Sequence, residues 1–310
     1  MMIFTRNDII KKYPWINKKK QRFIISADYD GLICASLLNH HKQWSLVGYY
    51  DLKSIWISDE AKKNKNDIIW VDLNILPHQG RAIGGHIISI ADESLPGFET
   101  SCNPNILAEL NSSMFKKKFP LSTLLFLLWI YNIEIPKKIL SKMLVLHSDS
   151  SWLKAQNYNE NFFYWTNALS DYGWKWLFRN VLSKTFEKRI DDMLYPKLSS
   201  IYAVSGYSKL KSKNLHLQSR ELKVNPDWDE DVIHSLFEIF ATNLKWTPPK
   251  LPEITYRVDG QKNKTPLREI KKIGLKKFLK KERVFSYTIT SPQTLIYTSF
   301  GSTLKSPINK

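Results

Sequence analysis

Two carboxylates two residues apart, Asp28 and Asp30, break into the hydrophobic stretch Arg22–Leu38 (RFIISADYDGLICASLL), with Gly31 directly behind them. Acids held that close repel one another unless a proton or a cation sits between them. A hard divalent metal bound through oxygen is the natural occupant. An isolated D-x-D-G is equally a solvated turn whose aspartates cap the next helix, so the rest of the chain has to decide. Further acids close other apolar runs: Asp72 in DIIWVDL (67–73), Asp92 with Glu93 after HIISIA (86–91), and Asp149 shortly after MLVL (143–146). One such aspartate is ordinarily a cap. Four at equivalent places in a basic chain fit a metal centre better.

The elements that would position these acids follow from periodicity. Phe23, Ile24 and Ile25 read as a short buried strand, and Leu32–Leu38 as the start of a helix packed on it and running to about His41. WSLVGYY (44–50), DIIWVDL, HIISIA and MLVL read as further buried strands. Strand signals alternating with helix signals imply a parallel sheet, whose strand ends all open on one side. Ligands of open α/β sheets sit at that side. The expectation is therefore an α/β protein. Residues 1–150 would form a metal-binding parallel-sheet domain, opening on a short helix and the basic linker Lys18-Lys19-Lys20. Residues 151–200 would be a helical cover, and 201–310 a smaller mixed α/β domain. In that last part Ile201–Val204, Leu215–Leu217 and Ile254–Val258 are strand-like, Glu230–Leu244 and Pro266–Leu279 helix-like, and VFSYTITSPQTLIYTSF (284–300) hairpin-like.

Charge narrows the partner. Forty-six Lys and Arg stand against twenty-nine Asp and Glu, a net charge of +17. Such a surplus favours a polyanion, with nucleic acid first and an anionic membrane surface second. Much of it lies in QKNKTPLREIKKIGLKKFLKKER (261–283), where Lys262, Lys264, Arg268, Lys271, Lys272, Lys276, Lys277, Lys280, Lys281 and Arg283 meet only Glu269 and Glu282. Ile270, Ile273, Leu275, Phe278 and Leu279 form a candidate apolar stripe that leaves those cations facing solvent. A solvated helix face accounts for some of them, but phosphate contact accounts better for the lack of acids. Lys116, Lys117 and Lys118 form a second basic run, and Lys18–Arg22 a third. The clusters FFYW and GWKW (from 162 and 173) read as packing rather than as a base-stacking platform. Cys34 and Cys102 make neither a zinc spacing nor a disulfide framework. Gly-rich phosphate loops and Ser-His-Asp arrangements are missing from the sequence. The N-terminal residues lack a signal-peptide apolar region, and Leu121–Tyr131 is too short to cross a bilayer. A cytoplasmic protein without membrane insertion is expected.

These residues resemble the motifs of the DHH phosphoesterase superfamily, which includes RecJ-type exonucleases and oligoribonucleases. Ser26-Ala27-Asp28-Tyr29-Asp30-Gly31 is similar to its first motif, and Val71-Asp72-Leu73 to its second. Asp92-Glu93-Ser94 stands in the place of D-H-H, Asn103-Pro104-Asn105 resembles the N-P shortly downstream, and Asp149 resembles the fourth motif's aspartate. Ser26 replaces the leading acid or histidine of the first motif, and Glu93 and Ser94 replace both histidines of D-H-H. The resemblance covers about 22–149. The glycine-rich signature of the family's second domain does not occur.

The resemblance implies two divalent cations, Mn²⁺ or Mg²⁺, on Asp28, Asp30, Asp72, Asp92 and Asp149. Asp92 and Glu93 would act in catalysis, with His86 or His147 assisting. The activity implied is hydrolysis of phosphodiester bonds in nucleic acid, most simply as a single-strand exonuclease or oligonucleotide nuclease. Single-stranded DNA or RNA would lie along the lysines named above. Two alternatives stay open: a catalytically degenerate nucleic-acid-binding or scaffold subunit, and a phosphodiesterase for cyclic dinucleotides or other small substrates.

Overall fold

A computed structural model describes residues 4–73, 75, 80–90, 94–205 and 223–301. The chain divides into two compact units, each assembled from separated stretches of sequence. One takes Asn7–Ser26, Trp44–Phe119 and Lys250–Lys310; the other takes Met1–Arg6, Ala27–Gln43 and Pro120–Pro249.

The first unit carries the β-structure. Among the described residues its larger sheet has seven strands: β1 (Arg22–Ser26), β2 (Ser45–Tyr50), β3 (Ser54–Ile57), β4 (Ile68–Val71), β5 (Arg81–Ile83), β6 (Ser101–Cys102) and β7 (Tyr256–Asp259). They lie in the order β6-β5-β4-β1-β2-β3-β7. The run from β6 to β2 is parallel, whereas β3 and β7 pair antiparallel. The protein is thus α/β with a mostly parallel mixed sheet. From β1 the chain first builds outward to β2 and β3, then returns to the other flank of β1 for β4, β5 and β6. The reversal lies between β1 and β4, where doubly wound sheets place their ligands.

Short, almost wholly buried segments make the central strands, whereas the edge strand β7 is mostly exposed. Phe23, Ile24 and Ile25 in β1 and Ile68–Val71 in β4 are buried on both faces, as parallel strands require. Gly48 in β2 sits under the carbonyl of Trp56, where any Cβ would collide with that backbone. A smaller antiparallel sheet, in the order β8-β10-β9, follows from β8 (Gln261–Pro266), β9 (Val284–Ser291) and β10 (Thr294–Ser299). Phe285 and Phe300 join Ile24, Tyr50 and Trp70 in one buried cluster, so the C-terminal residues share the larger sheet's core.

The second unit is helical. The helix Tyr29–Lys42 is buried from Tyr29 to Leu38 and touches the helices Thr123–Tyr131 and Glu230–Leu244. Thr123–Tyr131 is buried from its first residue to Ile130. A short helix apolar all round has to be interior, which explains the most hydrophobic run of the chain. No helix among the described residues is long and apolar enough to cross a membrane.

Several local expectations change. Of HIISIA, residues 86–90 form no strand and Ala91 lies outside the described residues: Ser89 makes one isolated bridge to Asn111, and the neighbouring strand is β5 at Arg81–Ile83. MLVL lies inside the helix Ile139–His147. Both runs are short and mostly apolar, and periodicity cannot separate a buried strand from a buried helix or loop in so few residues. Ile201–Val204 belongs to the helix Tyr195–Ser205, and Leu215–Leu217 lies outside the described residues. The Pro266–Leu279 helix is two helices, Leu267–Ile273 and Leu275–Lys281, parted by Gly274 at φ +84°. That left-handed conformation suits glycine. The hairpin and the Glu230–Leu244 helix form as read.

Candidate metal centre

In the sheet unit, Asp72 stands one residue beyond β4, buried and at φ +63°. Its N–H still donates to Ile83 O at 2.7 Å, which continues the β4–β5 ladder past the last residue of β4. The left-handed backbone is tolerated by aspartate better than by most residues. It turns the carboxylate to where β1 ends. There Ser26 Oγ donates to Asp72 Oδ2 at 2.6 Å, and His86 Nε2 lies 2.8 Å from Oδ1. A carboxylate that accepts at both oxygens fixes His86 as the Nε2–H tautomer, which carries its ring lone pair on Nδ1. The His86 side chain is about one-third exposed (34%) while Asp72 is 3% exposed, so an open imidazole is tethered to a buried acid.

In the helical unit, Asp28 and Asp30 play different parts. Asp28 is the N-cap of the Tyr29–Lys42 helix, accepting from Gly31 N at 3.0 Å. Asp30 points inward and is buried. Its carboxylate accepts from Thr123 N at 3.1 Å, from Ser148 Oγ and, weakly, from Cys34 Sγ at 3.7 Å. Thr123 opens its helix, with Ser122 as cap, so the helix's positive end also faces Asp30. Asp149 and Ser150 adopt consecutive left-handed conformations at φ 50° and 51°. This kink after the Ile139–His147 helix brings an Asp149 carboxylate oxygen within 4.8 Å of one from Asp30. Lys154 Nζ is 3.4 Å from Asp149 Oδ2. Strained non-glycine backbone of this kind clusters at functional sites.

His147 is buried, edge-on to the rings of Tyr29 and Tyr195. Asp92 and Glu93 lie outside the described residues. Asn103 and Asn105, matched to the N-P motif, are fully buried and donate to the carbonyls of Ile87 and Gly85, on either side of His86. The sequence reading missed Ser26 and Ser148 as carboxylate partners. The available signal was a hydroxyl directly beside an acid-bearing turn, which is too common to single out.

Basic residues expected at a nucleic-acid surface sit in the sheet unit. Lys262 and Lys264 are exposed on β8, an edge strand. Arg268, Lys271, Lys272, Lys276, Lys277, Lys280 and Lys281 are exposed on the two helices that follow, whose Leu267, Ile270, Leu275, Phe278 and Leu279 are buried. Ile273 is exposed instead of joining that apolar stripe. Glu269 takes Arg268 and Lys272, and Glu282 takes Lys281, at 3.4 Å each. Lys116 and Lys117 are exposed, while Lys118 reaches Ile289 O of β9 at 3.4 Å. Of the aromatic clusters, Phe162, Trp165 and Trp174 are buried, whereas Phe163 and Tyr164 are exposed.

No family model, curated protein or solved structure matches this chain.

Proposed function

We propose that the chain is a metal-dependent phosphoesterase of DHH-like layout acting on single-stranded nucleic acid, in which Asp30 with Asp149 in the helical unit, and His86 oriented by Asp72 in the sheet unit, supply ligands for divalent cations. The observation that carries this reading is the approach of Asp30 to Asp149. Two acids remote in sequence come within 4.8 Å in a chain of net charge +17. The donor chemistry suits a cation. Carboxylate oxygens suit Mn²⁺ and Mg²⁺ alike, and an imidazole donor suits Mn²⁺ better than Mg²⁺, which prefers an all-oxygen shell. A carboxylate behind a ligating histidine is the usual arrangement that fixes the ring and its tautomer, and Asp72 stands in that relation to His86.

Bound there, the cation supplies a Lewis acid for a phosphoryl oxygen and a water acidified toward neutral pH. The protein's part is to orient His86 through Asp72 in the sheet unit and to hold Asp30 between Thr123 and Ser148 in the helical unit, while the exposed lysines of 262–281 bind the strand. The test is calorimetric titration of Mn²⁺ into the protein and into Asp30→Asn and Asp149→Asn, with Mn²⁺-dependent cleavage of end-labelled single strands measured alongside. Binding and cleavage that both variants lose support the reading; wild-type protein without either overturns it.

A second reading has its own observation. Asp30 already accepts from three donors, and Lys154 already neutralises Asp149, which suits a binding subunit that has lost catalysis. Silence in the Mn²⁺ titration together with intact strand affinity would favour it.

A further inference from the structure

Residues 84–90 carry His86 and form neither helix nor strand apart from the single bridge at Ser89, yet their backbone is stitched almost residue by residue. Gly84 N donates to Cys102 O at 3.3 Å, and Thr288 Oγ1 donates to His86 O at 3.3 Å. Asn105 Nδ2 donates to Gly85 O at 2.7 Å and to Ile87 O at 2.9 Å, and Asn103 Nδ2 donates to Ile87 O at 3.1 Å. Ser89 N reaches Leu110 O, and Ser112 Oγ reaches Ile90 O at 2.9 Å. Gly85 lies against Phe119, whose Cδ1 would be 2.7 Å from any Cβ built there.

The two asparagines are held as firmly as what they hold. Asn103 Oδ1 accepts from Asn105 N at 2.8 Å, and Asn105 Oδ1 accepts from Phe119 N at 2.6 Å. With each amide oxygen committed to a backbone N–H, each NH₂ has to face the 85–87 carbonyls. An unsupported loop would leave an imidazole about 1 Å too loose to act, and this defect is cured by packing and hydrogen bonds behind it.

We infer that Asn103 and Asn105 are positioning residues: a buried pair of amides that clamps the carbonyls flanking His86 and so holds its ring on Asp72. The role of His86 as a ligand rests on the proposed function, but the clamp and its effect on the ring do not. Asn→Asp at either position keeps the accepting oxygen and turns the donor into a second acceptor facing a carbonyl. Asn103→Asp is the milder change, because its capping bond to Asn105 N survives.

Long-range ¹H–¹⁵N spectra of the histidine rings, with His86 assigned from His86→Gln, read the tautomer directly. Wild type is expected to show a single Nε2–H form. Asn103→Asp and Asn105→Asp are expected to show the averaged pattern of a ring that has left Asp72. In calorimetry each variant is expected to weaken Mn²⁺ by about 10- to 100-fold, as supporting partners of ligands do. Asn103→Asp added to His86→Gln should cost nothing more, because the amide acts through that ring. Should Asn105→Asp fail to fold, Asn103→Asp and Thr288→Val still test the clamp. An unchanged tautomer in both folded variants would overturn the inference, as would losses of Mn²⁺ affinity that add to that of His86→Gln. If wild type binds no Mn²⁺, the metal reading falls, and the tautomer alone decides the clamp.

Discussion

His86 Nε2 sits 2.8 Å from Asp72 Oδ1, joining a residue without regular structure to the turn that ends β4. Asp72 therefore accepts from His86 on one oxygen and from Ser26 on the other. Asp72→Asn keeps one acceptor and presents an amide donor where the second was, so either Ser26 must turn its hydroxyl to accept or His86 must change tautomer. Mn²⁺ affinity, measured by calorimetry, is expected to fall by about 10- to 100-fold, with Mn²⁺-dependent cleavage falling alongside. Affinity within twofold of wild type would remove Asp72 from the centre.

Asp30 gives a prediction about stability. Ser148→Ala removes a hydroxyl that donates to a buried carboxylate, and losing a bond to a buried charged group costs about 1–3 kcal/mol. The midpoint of thermal unfolding without metal should drop by several degrees. Saturating Mn²⁺ should recover part of the loss, since a ligand that binds only the folded state stabilises it. A variant as stable as wild type would mean that Ser148 does not support Asp30.

The pH dependence of stability has a source away from the metal centre. Burial, with His40 beside it, pulls the His41 imidazole down to about 4, against about 6.5 in an unfolded chain. As pH falls the unfolded chain takes the proton first. The stability tied to neutral His41 is thus complete above about pH 6.5 and is lost as pH falls toward 4. Unfolding midpoints between pH 6.5 and 4 should fall more steeply for wild type than for His41→Phe. Parallel curves would contradict this assignment.

The basic helices predict a salt effect. The side chains of Lys276, Lys277, Lys280 and Lys281 are exposed, and single-strand binding loses about 0.7 in logarithmic slope against salt for each phosphate contact. Replacing all four by Gln should flatten that slope by about 3 units for a labelled single-stranded oligonucleotide. The fold should be unaffected, since none of the four is buried. An unchanged slope would place the nucleic-acid surface elsewhere or remove it.

What the sequence by itself determined is local. Phe23–Ile25, Ile68–Val71 and Ser45–Tyr50 are short, apolar and rich in β-branched or aromatic residues, and they became strands of a mostly parallel sheet. Val232, Ile233, Leu236, Phe237 and Phe240 repeat at helical spacing, and the helix they announce runs over Glu230–Leu244. The types of chemistry were also legible, since aspartates at turns behind apolar runs need no fold to be noticed.

Tertiary structure decided the rest. MLVL became helix because it is buried on every side, which erases the periodicity that separates helix from strand. Residues 86–90 stayed irregular because Asn103, Asn105 and Ser112 satisfy their backbone in place of a neighbouring strand. β7 found β3 across some two hundred residues, a pairing that no local pattern encodes. Asp30 met Asp149 through the kink at Asp149-Ser150, and Asp72 met Ser26 through the adjacency of β4 and β1. Residue types set which groups can bind a cation. Which of them share one depends on distances between segments remote along the chain, and those are set only when the core closes.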